Sequence, residues 1–363
     1  MTMKLLTIFG TRPELIRLSL ILRDLDKYTN NITVHTGQNY DFELDGIFLK
    51  ELEIRKPDYY LNSQGTFAEQ ISNSFTKIEK ILKKEKPDKL LVLGDTNSSL
   101  TSIIAKRLHI PIYHIEAGNR SFNPFSPEEI NRKIIDHSAD LHMVYSNRSF
   151  NHLKKEGIKE KSIFIVGNPI FEVLNYYNRK INKSKILNRL KIKRKKYISM
   201  TLHREENVDN LEKLKGILDY LKKINNDFNM QIIWPIHPRS KVKFNNLKLK
   251  KEYSFISLIK PLGFFDYVKL QKNSFLVITD SGTVQEECSI NKIPQIILRD
   301  STERDETLES GSGLLVNNLK SYDYKKLNFI ISNSSLIETP REYVINNTSY
   351  KIINLLLNDF KIF

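Results

Sequence analysis

Lys4-Leu-Leu-Thr-Ile-Phe-Gly-Thr-Arg-Pro-Glu14 runs from an apolar stretch straight into a helix start. Gly10 permits a tight turn, Thr11 can cap the helix and Pro13 fits its first turn. Arg12 then stands at a helix N-terminus, where free amides and the dipole already favour an anion. The same residues also read as an ordinary capped strand-to-helix turn, because the dinucleotide pattern Gly-x-Gly-x-x-Gly is absent.

Working outward, the strand–helix alternation repeats along the whole chain. Strands are expected at Lys4–Phe9, Ile32–His35, Leu90–Leu93, Ile112–Ile115, Leu141–Tyr145 and Ile163–Val166. A second series is expected at Tyr197–Thr201, Gln231–Pro235, Ser254–Leu258, Phe275–Thr279 and Gln295–Leu298. Helical periodicity fills gaps such as Leu15–Leu25, Ala68–Lys83, Leu211–Ile224 and Phe264–Lys272. Strands separated by helix-length segments imply right-handed βαβ units and parallel sheets, an α/β class. The weak point between the two series is the lysine-rich stretch Asn178–Lys196. We therefore expect two doubly wound, Rossmann-like domains, residues 1–172 and 173–344, with a terminal helix in about 345–363 packing back on the first.

At 363 residues the chain is long enough for two cores. It is 40% hydrophobic and 27% charged, with a mean hydropathy of −0.39, as in soluble globular proteins. A net charge of +15 and a pI near 9.5 invite a nucleic-acid reading. The lysines, however, are not interleaved with aromatics in one stripe, and a lysine-rich surface is the better reading. The single cysteine, Cys288, excludes an intrachain disulfide and a cysteine metal cluster. The apolar run near the N-terminus is too short for a secretory signal, and no run approaches the ~20 residues of a membrane span. A cytoplasmic protein, not inserted in membrane, is expected.

Three carboxylates stand out. Asp95 lies in Leu93-Gly-Asp-Thr-Asn97, Glu116 in His114-Ile-Glu-Ala-Gly-Asn-Arg120, and Glu128 in Ser126-Pro-Glu-Glu-Ile-Asn-Arg132. Strand-following acids fall where open α/β sheets place their chemistry. Set beside Arg120 and Arg132, they suggest proton transfer on an anionic substrate. Thr279-Asp-Ser-Gly-Thr-Val-Gln-Glu-Glu287 repeats the strand-to-helix logic in the second half. Ser281, Gly282 and Thr283 offer amides and hydroxyls to a diphosphate, and Glu287, one turn later, can accept from ribose hydroxyls. No lysine follows the glycine, so this is not a P-loop.

His203, in Thr201-Leu-His-Arg204, and His237, in Pro235-Ile-His-Pro-Arg239, each follow a strand beside an arginine and read as phosphate or sugar contacts. His114 and His137 read equally well as structural residues. Arg299-Asp-Ser-Thr-Glu-Arg304 follows another strand and is either a solvated loop or further charge for the ligand, with Arg304 the candidate contact.

Taken together, these segments resemble the non-hydrolysing UDP-N-acetylglucosamine 2-epimerase family. The resemblance runs from Phe9-Gly-Thr-Arg-Pro-Glu14 to Arg299–Gly313. Between them stand Gly37-Gln38, Gly94-Asp95-Thr96, Glu116-Ala-Gly118, Pro127–Arg132, Gly167-Asn168, His203-Arg204, His237-Pro238 and Asp280-Ser-Gly282. It implies two Rossmann-like domains around a cleft, the GT-B arrangement. The implied chemistry eliminates UDP to a 2-acetamidoglucal and returns it with protonation on the opposite face of carbon 2. By resemblance Asp95, Glu116 and Glu128 are the acid/base groups, and Arg12 and His203 stabilise the departing diphosphate. Arg17 stands where the family usually has a lysine. Neither metal nor nicotinamide is implied, and the partners are a UDP-sugar and a second copy of the chain, with no nucleic acid.

Two departures bear on specificity and control. Thr283 stands where a second glycine is usual in the phosphate loop. Asn39, Tyr40, Asp41, Phe42 and Glu43 replace the His-Arg-Glu-Met-like segment that helps many bacterial members bind an activating second nucleotide sugar, so hyperbolic kinetics are expected. That segment and Ala117-Gly-Asn-Arg120 also resemble the branch making UDP-N-acetyl-L-fucosamine. A GT-B glycosyltransferase is the alternative from another class.

Overall fold

The structure is a computed structural model. It describes residues 2–37, 42–236, 244, 252–358 and 360. The chain forms two compact units, Met1–Tyr176 with Glu342–Phe363, and Tyr177–Arg341.

In the first unit the strands are β1 (Lys4–Phe9), β2 (Asn30–His35), β3 (Tyr59–Tyr60), β4 (Lys89–Leu93), β5 (Ile112–Ile115), β6 (Leu141–Val144) and β7 (Ile163–Ile165). They form one parallel sheet in the order β3-β2-β1-β4-β5-β6-β7. The helices needed below are α1 (Arg12–Tyr28), α2 (Phe67–Glu85), α3 (Pro127–Ser138) and α4 (Pro169–Tyr176). Strand order reverses between β1 and β4, so the loops after these two strands flank the crevice where such sheets bind ligands. β1, β4 and β5 are buried almost throughout, as strands covered on both faces must be. One core cluster joins Leu6, Ile8, Leu90, Val92 and Ile112 to Ile78 and Leu82 of α2.

The second unit opens with α5 (Asn178–Lys183) and α6 (Ile186–Arg189). Its strands are β8 (Tyr197–Thr201), β9 (Gln231–Pro235), β10 (Ile256–Ile259), β11 (Leu276–Thr279), β12 (Gln295–Ile297) and β13 (Gly313–Leu315). They form a second parallel sheet in the order β10-β9-β8-β11-β12-β13, reversing between β8 and β11. α7 (Phe264–Asn273) precedes β11 and α8 (Gly282–Ile290) follows it. The core centres on Trp234, Ile198, Met200, Ile278 and the apolar face of the helix Leu211–Phe228. Cys288 is buried among Val277, Val284 and Ile293, an apolar role that burial matches by pushing its thiol pKa up.

The terminal helix α9 (Thr348–Leu357) belongs to the first unit, where it packs on α1 and α4. Lys89 of β4 donates to the carbonyls of Leu356 and Asn358, satisfying orphan acceptors at its C-terminus.

Asn178–Lys196, the lysine-rich stretch between the two strand series, is folded: α5 and α6 pack against α7, with Ile181 and Ile186 buried. Lysine content hid the helices because only two apolar anchors face inward. Strands β3 and β13 were missed because two or three residues carry no readable alternation. Gln38, Asn39, Tyr40, Asp41 and His237 lie outside the described residues, as do the side chains of Phe42 and Glu43.

Candidate active site

In the first unit, α1 begins with a capping box. Glu14 accepts from the Thr11 backbone amide at 2.7 Å, the Thr11 hydroxyl at 2.7 Å and the Gly10 amide at 3.0 Å. Its other oxygen accepts from Thr96 Oγ1 at 2.9 Å. Glu14 thus ties the loop after β1 to the loop after β4, the two that flank the strand-order reversal. Burial pushes its carboxyl up to about 7 against the lowering effect of those hydrogen bonds. Glu14 is not among the acids singled out in the sequence, although a glutamate three residues beyond a capping threonine is the signal that marks it.

Arg12 is half-buried at the first helical position, its guanidinium 5.9 Å from the Phe48 ring centroid. Arg17, one turn on, is buried and points its Nη1 at Glu116 Oε2, 3.5 Å away. Glu116 has φ +70, a left-handed conformation that costs a non-glycine residue energy and re-aims the chain as it leaves β5. Its carboxylate also accepts from Tyr145 Oη at 3.2 Å and Asn119 Nδ2 at 3.3 Å. Tyr145 is a residue the sequence did not single out. Gly118, two residues on, has φ +76, and a Cβ there would come within 2.4 Å of the Ser149 carbonyl oxygen. Only glycine fits.

Asp95 is partly exposed and paired with Arg132 of α3. Asn131 Nδ2 donates to the Asp95 carbonyl at 2.9 Å. The paired acids at the start of α3 divide their roles. Glu129 is buried, accepts from the Ser121 amide at 2.8 Å and pairs with Arg132 at 3.3 Å. Glu128 is half-exposed and accepts from Ser126 Oγ at 2.7 Å. Asp95, Glu116 and Arg17 therefore project from the loops and helix around the reversal, and Glu128 heads the helix whose next turn holds Asp95.

Arg120 is placed elsewhere. It is enclosed between Asp136 Oδ2 at 2.8 Å and Glu156 Oε2 at 2.6 Å, with a side chain fully removed from solvent. This corrects the reading of Arg120 as a substrate contact: its donors are spent inside the protein. Asp136 also meets His114 Nδ1 at 2.8 Å and accepts from the Gly118 amide at 3.2 Å. His114 Nε2 lies 3.0 Å from the Gly94 carbonyl, next to Asp95. Burial would raise the Asp136 carboxyl, but His114 and Arg120 bring it down to about 2. His114 is accordingly a structural residue beneath the turns that carry Asp95 and Glu116.

In the second unit the same topological position is occupied by His203, after β8, and by Ser281, Gly282 and Thr283, after β11. Asp280 is buried and gathers the His203 amide at 3.1 Å, the Arg204 amide at 2.9 Å and Asn207 Nδ2 at 3.1 Å. Burial opposes its charge, yet His203 and these donors hold it down to about 2. His203 Nδ1 stands 3.1 Å from Asp280 Oδ1 while its ring remains 53% exposed, so one edge is fixed and the other is open to a ligand.

Ser281 is the N-cap of α8. At Gly282 an added Cβ would lie 2.9 Å from Glu303 Oε1. Thr283, in the position where a second glycine is usual, is accommodated as a buried residue. Glu287 is buried and accepts from Gln271 Nε2 at 2.8 Å. The segment from Arg299 to Arg304 is not a solvated loop. Arg299 pairs with Glu303 at 2.6 Å, Arg304 with Glu286, and all are nearly enclosed. These ion pairs brace the segment behind the helix start, whose first-turn amides are a setting suited to phosphate.

Residues 23–357 match the sequence profile of a family described as UDP-N-acetylglucosamine 2-epimerase. The chain belongs to this family. The UDP-N-acetylglucosamine 2-epimerase of Methanocaldococcus jannaschii is 42% identical over 342 residues, covering 91% of this chain and 93% of that protein. A crystal structure of the M. jannaschii enzyme with UDP-GlcNAc and UDP superimposes with a TM-score of 0.91 at 39% identity, over 98% of this chain and 99% of the other. A UDP-2,3-diacetamido-2,3-dideoxy-D-glucuronate 2-epimerase of Pseudomonas aeruginosa is 36% identical, covering 86% of this chain and 88% of that protein. The family is therefore an isomerase family whose relatives differ in the sugar they take.

Proposed function

We propose that this chain interconverts UDP-N-acetylglucosamine and UDP-N-acetylmannosamine by eliminating and re-adding UDP. The observation that carries the reading is the chemistry at each strand-order reversal: carboxylates with arginines in the first unit, a helix start at Ser281 braced by buried Arg–Glu pairs in the second. The proton on carbon 2 has no adjacent carbonyl to stabilise a carbanion, so direct deprotonation is unfavourable. Breaking the C1–O bond instead sends an electron pair out with UDP, and the carbon-2 proton passes to a carboxylate. The neutral product is 2-acetamidoglucal. Readdition of UDP at carbon 1, with a proton delivered to the other face of carbon 2, completes the inversion.

Asp95, Glu116 and Glu128 are assigned to the proton transfers. Arg17 fixes the Glu116 carboxylate from 3.5 Å away. Arg12, His203, the Ser281 hydroxyl and the Gly282 and Thr283 amides meet the negative charge that develops on the diphosphate. Glu287 and Arg304 are assigned to the nucleotide through the walls they form, and Arg132 through Asp95. UDP-GlcNAc is favoured as the sugar because the relatives at 41–42% identity carry that name, against 36% for the diacetamidouronate enzyme.

A homodimer fits the apolar face formed by Ile130 and Ile134 on α3 with Phe125 before it, all exposed in the single chain. A lone buried thiol fits a reducing, cytoplasmic setting and a role in making polysaccharide precursors there. Incubation with UDP-GlcNAc alone in deuterated water tests the reading. The expected result is a mixture of two UDP-sugars with deuterium at carbon 2. Hydrogen retained at carbon 2 defeats the elimination route, and free N-acetylmannosamine with UDP shows a hydrolysing enzyme instead.

A further inference from the structure

The second unit carries a concentration of charge that the epimerase chemistry does not use. Of the nineteen residues from Asn178 to Lys196, ten are Lys or Arg and none is Asp or Glu, whereas the whole chain has 57 basic and 42 acidic residues in 363. All ten are exposed, while Ile181 and Ile186 turn inward. The segment is folded: α5, α6 and the turn 191–196 lie against α7, and the Lys195 amide donates to the Asn273 carbonyl at 2.7 Å. α7 adds Lys269 and Lys272, which donate to Asn182 O and Asn178 Oδ1, each at 3.2 Å. Asp266 on α7 is engaged by Arg189 and Ser184. The result is a fixed face with a large excess of positive charge.

We propose that this face, α5, α6, the turn 191–196 and the adjoining side of α7, docks the protein on the surface of an anionic lipid bilayer. Seven of the ten basic residues are lysines, compact point charges suited to a diffuse layer of phosphates. No aromatic residue stands among the nineteen, and the flanking Tyr177 and Tyr197 are buried, so there is no platform for stacking bases. Among the described residues no helix is long and apolar enough to cross a membrane, so attachment is peripheral and electrostatic. Each basic residue near an anionic surface strengthens binding about fivefold at moderate salt. A few of the ten acting together give a useful affinity without any inserted segment.

Co-sedimentation of the full-length protein with vesicles of phosphatidylglycerol and phosphatidylcholine, without substrate, tests this independently of the catalytic reading. Binding is expected at about 0.1 M salt, absent with pure phosphatidylcholine and lost near 1 M, where charges are screened within about 3 Å. The variant Lys191→Glu, Lys193→Glu, Arg194→Glu, Lys196→Glu should bind the anionic vesicles at least about a hundredfold more weakly. Its turnover in the absence of vesicles and its melting temperature should match the parent's. Failure of the parent to sediment with anionic vesicles overturns the proposal, as does equal binding by the variant. Displacement from vesicles by a DNA duplex at lower phosphate concentration overturns it in favour of nucleic acid.

Discussion

Arg17 Nη1 stands 3.5 Å from Glu116 Oε2, and each side chain is only 4% exposed. The pair joins α1 to the left-handed turn after β5, and it sets opposite charges against each other away from water. Removing one member of a buried pair typically costs about 3–5 kcal/mol. The three candidate acids should therefore separate. Glu116→Gln is expected to lose both turnover and stability. Asp95→Asn and Glu128→Gln should each lose on the order of a hundredfold or more in turnover. Glu128→Gln should change the unfolding free energy little, and Asp95→Asn should cost less than Glu116→Gln because Arg132 keeps Glu129 as a second partner. Steady-state rates and urea melts on the three purified variants decide this, and near-normal turnover in all three removes the assignment.

Arg17→Lys refines the same relationship. A lysine keeps the charge but offers one compact ammonium in place of a planar fork. Turnover should fall less than in Arg17→Gln, and the stability lost by Arg17→Gln should be largely recovered. Equal damage by both substitutions would show that shape, not charge, is what Glu116 needs.

The parallel sheets and the motif segments were legible because they depend on local pattern: alternation, helix period and strand-to-helix turns. What the sequence could not show was which charged groups face inward. Arg120 and Arg304 looked like ligand contacts from their motifs, yet Asp136, Glu156 and Glu286 lie sixteen or more positions away and meet them only once the sheets are built. Glu128 and Glu129 are adjacent letters, and only the pitch of α3 decides that the second is buried. Tyr145 reaches Glu116 from the end of the neighbouring strand, a register relationship no single segment contains.

Gly282→Ala tests the helix start in the second unit. Its Cβ would sit 2.9 Å from Glu303 Oε1, whose partner oxygen is held by Arg299 at 2.6 Å. The carboxylate cannot swing away without breaking a buried pair. A loss of about 1–3 kcal/mol is expected from overpacking. More tellingly, the rise in melting temperature produced by saturating UDP should shrink, because the displaced Arg299–Glu303 pair no longer braces the N-terminus of α8. Calorimetry with and without UDP reads both, and an undiminished UDP shift would place the nucleotide elsewhere.

Two buried groups in the first unit respond to pH in opposite directions. His35 packs between Phe9 and Tyr60, accepts from the Gly37 amide at Nδ1, and is held by burial down to about 4 from an ordinary 6.5. Between those values the unfolded chain takes up a proton that the folded one refuses, so His35 lowers stability as pH falls from 6.5 towards 4. Glu14 is raised to about 7 from 4.5, so the folded chain keeps a proton that the unfolded one has released. Its contribution is lost as pH rises from 4.5 to 7. The two effects partly cancel in the parent, and single substitutions uncover each. The advantage of His35→Phe over the parent, or its smaller deficit, should grow on going from pH 7 to pH 5. Glu14→Gln should show the reverse trend, gaining on the parent from pH 5 to pH 8. Denaturant melts of the three proteins across this range check both slopes. Parallel curves would mean that neither group titrates across the folding transition.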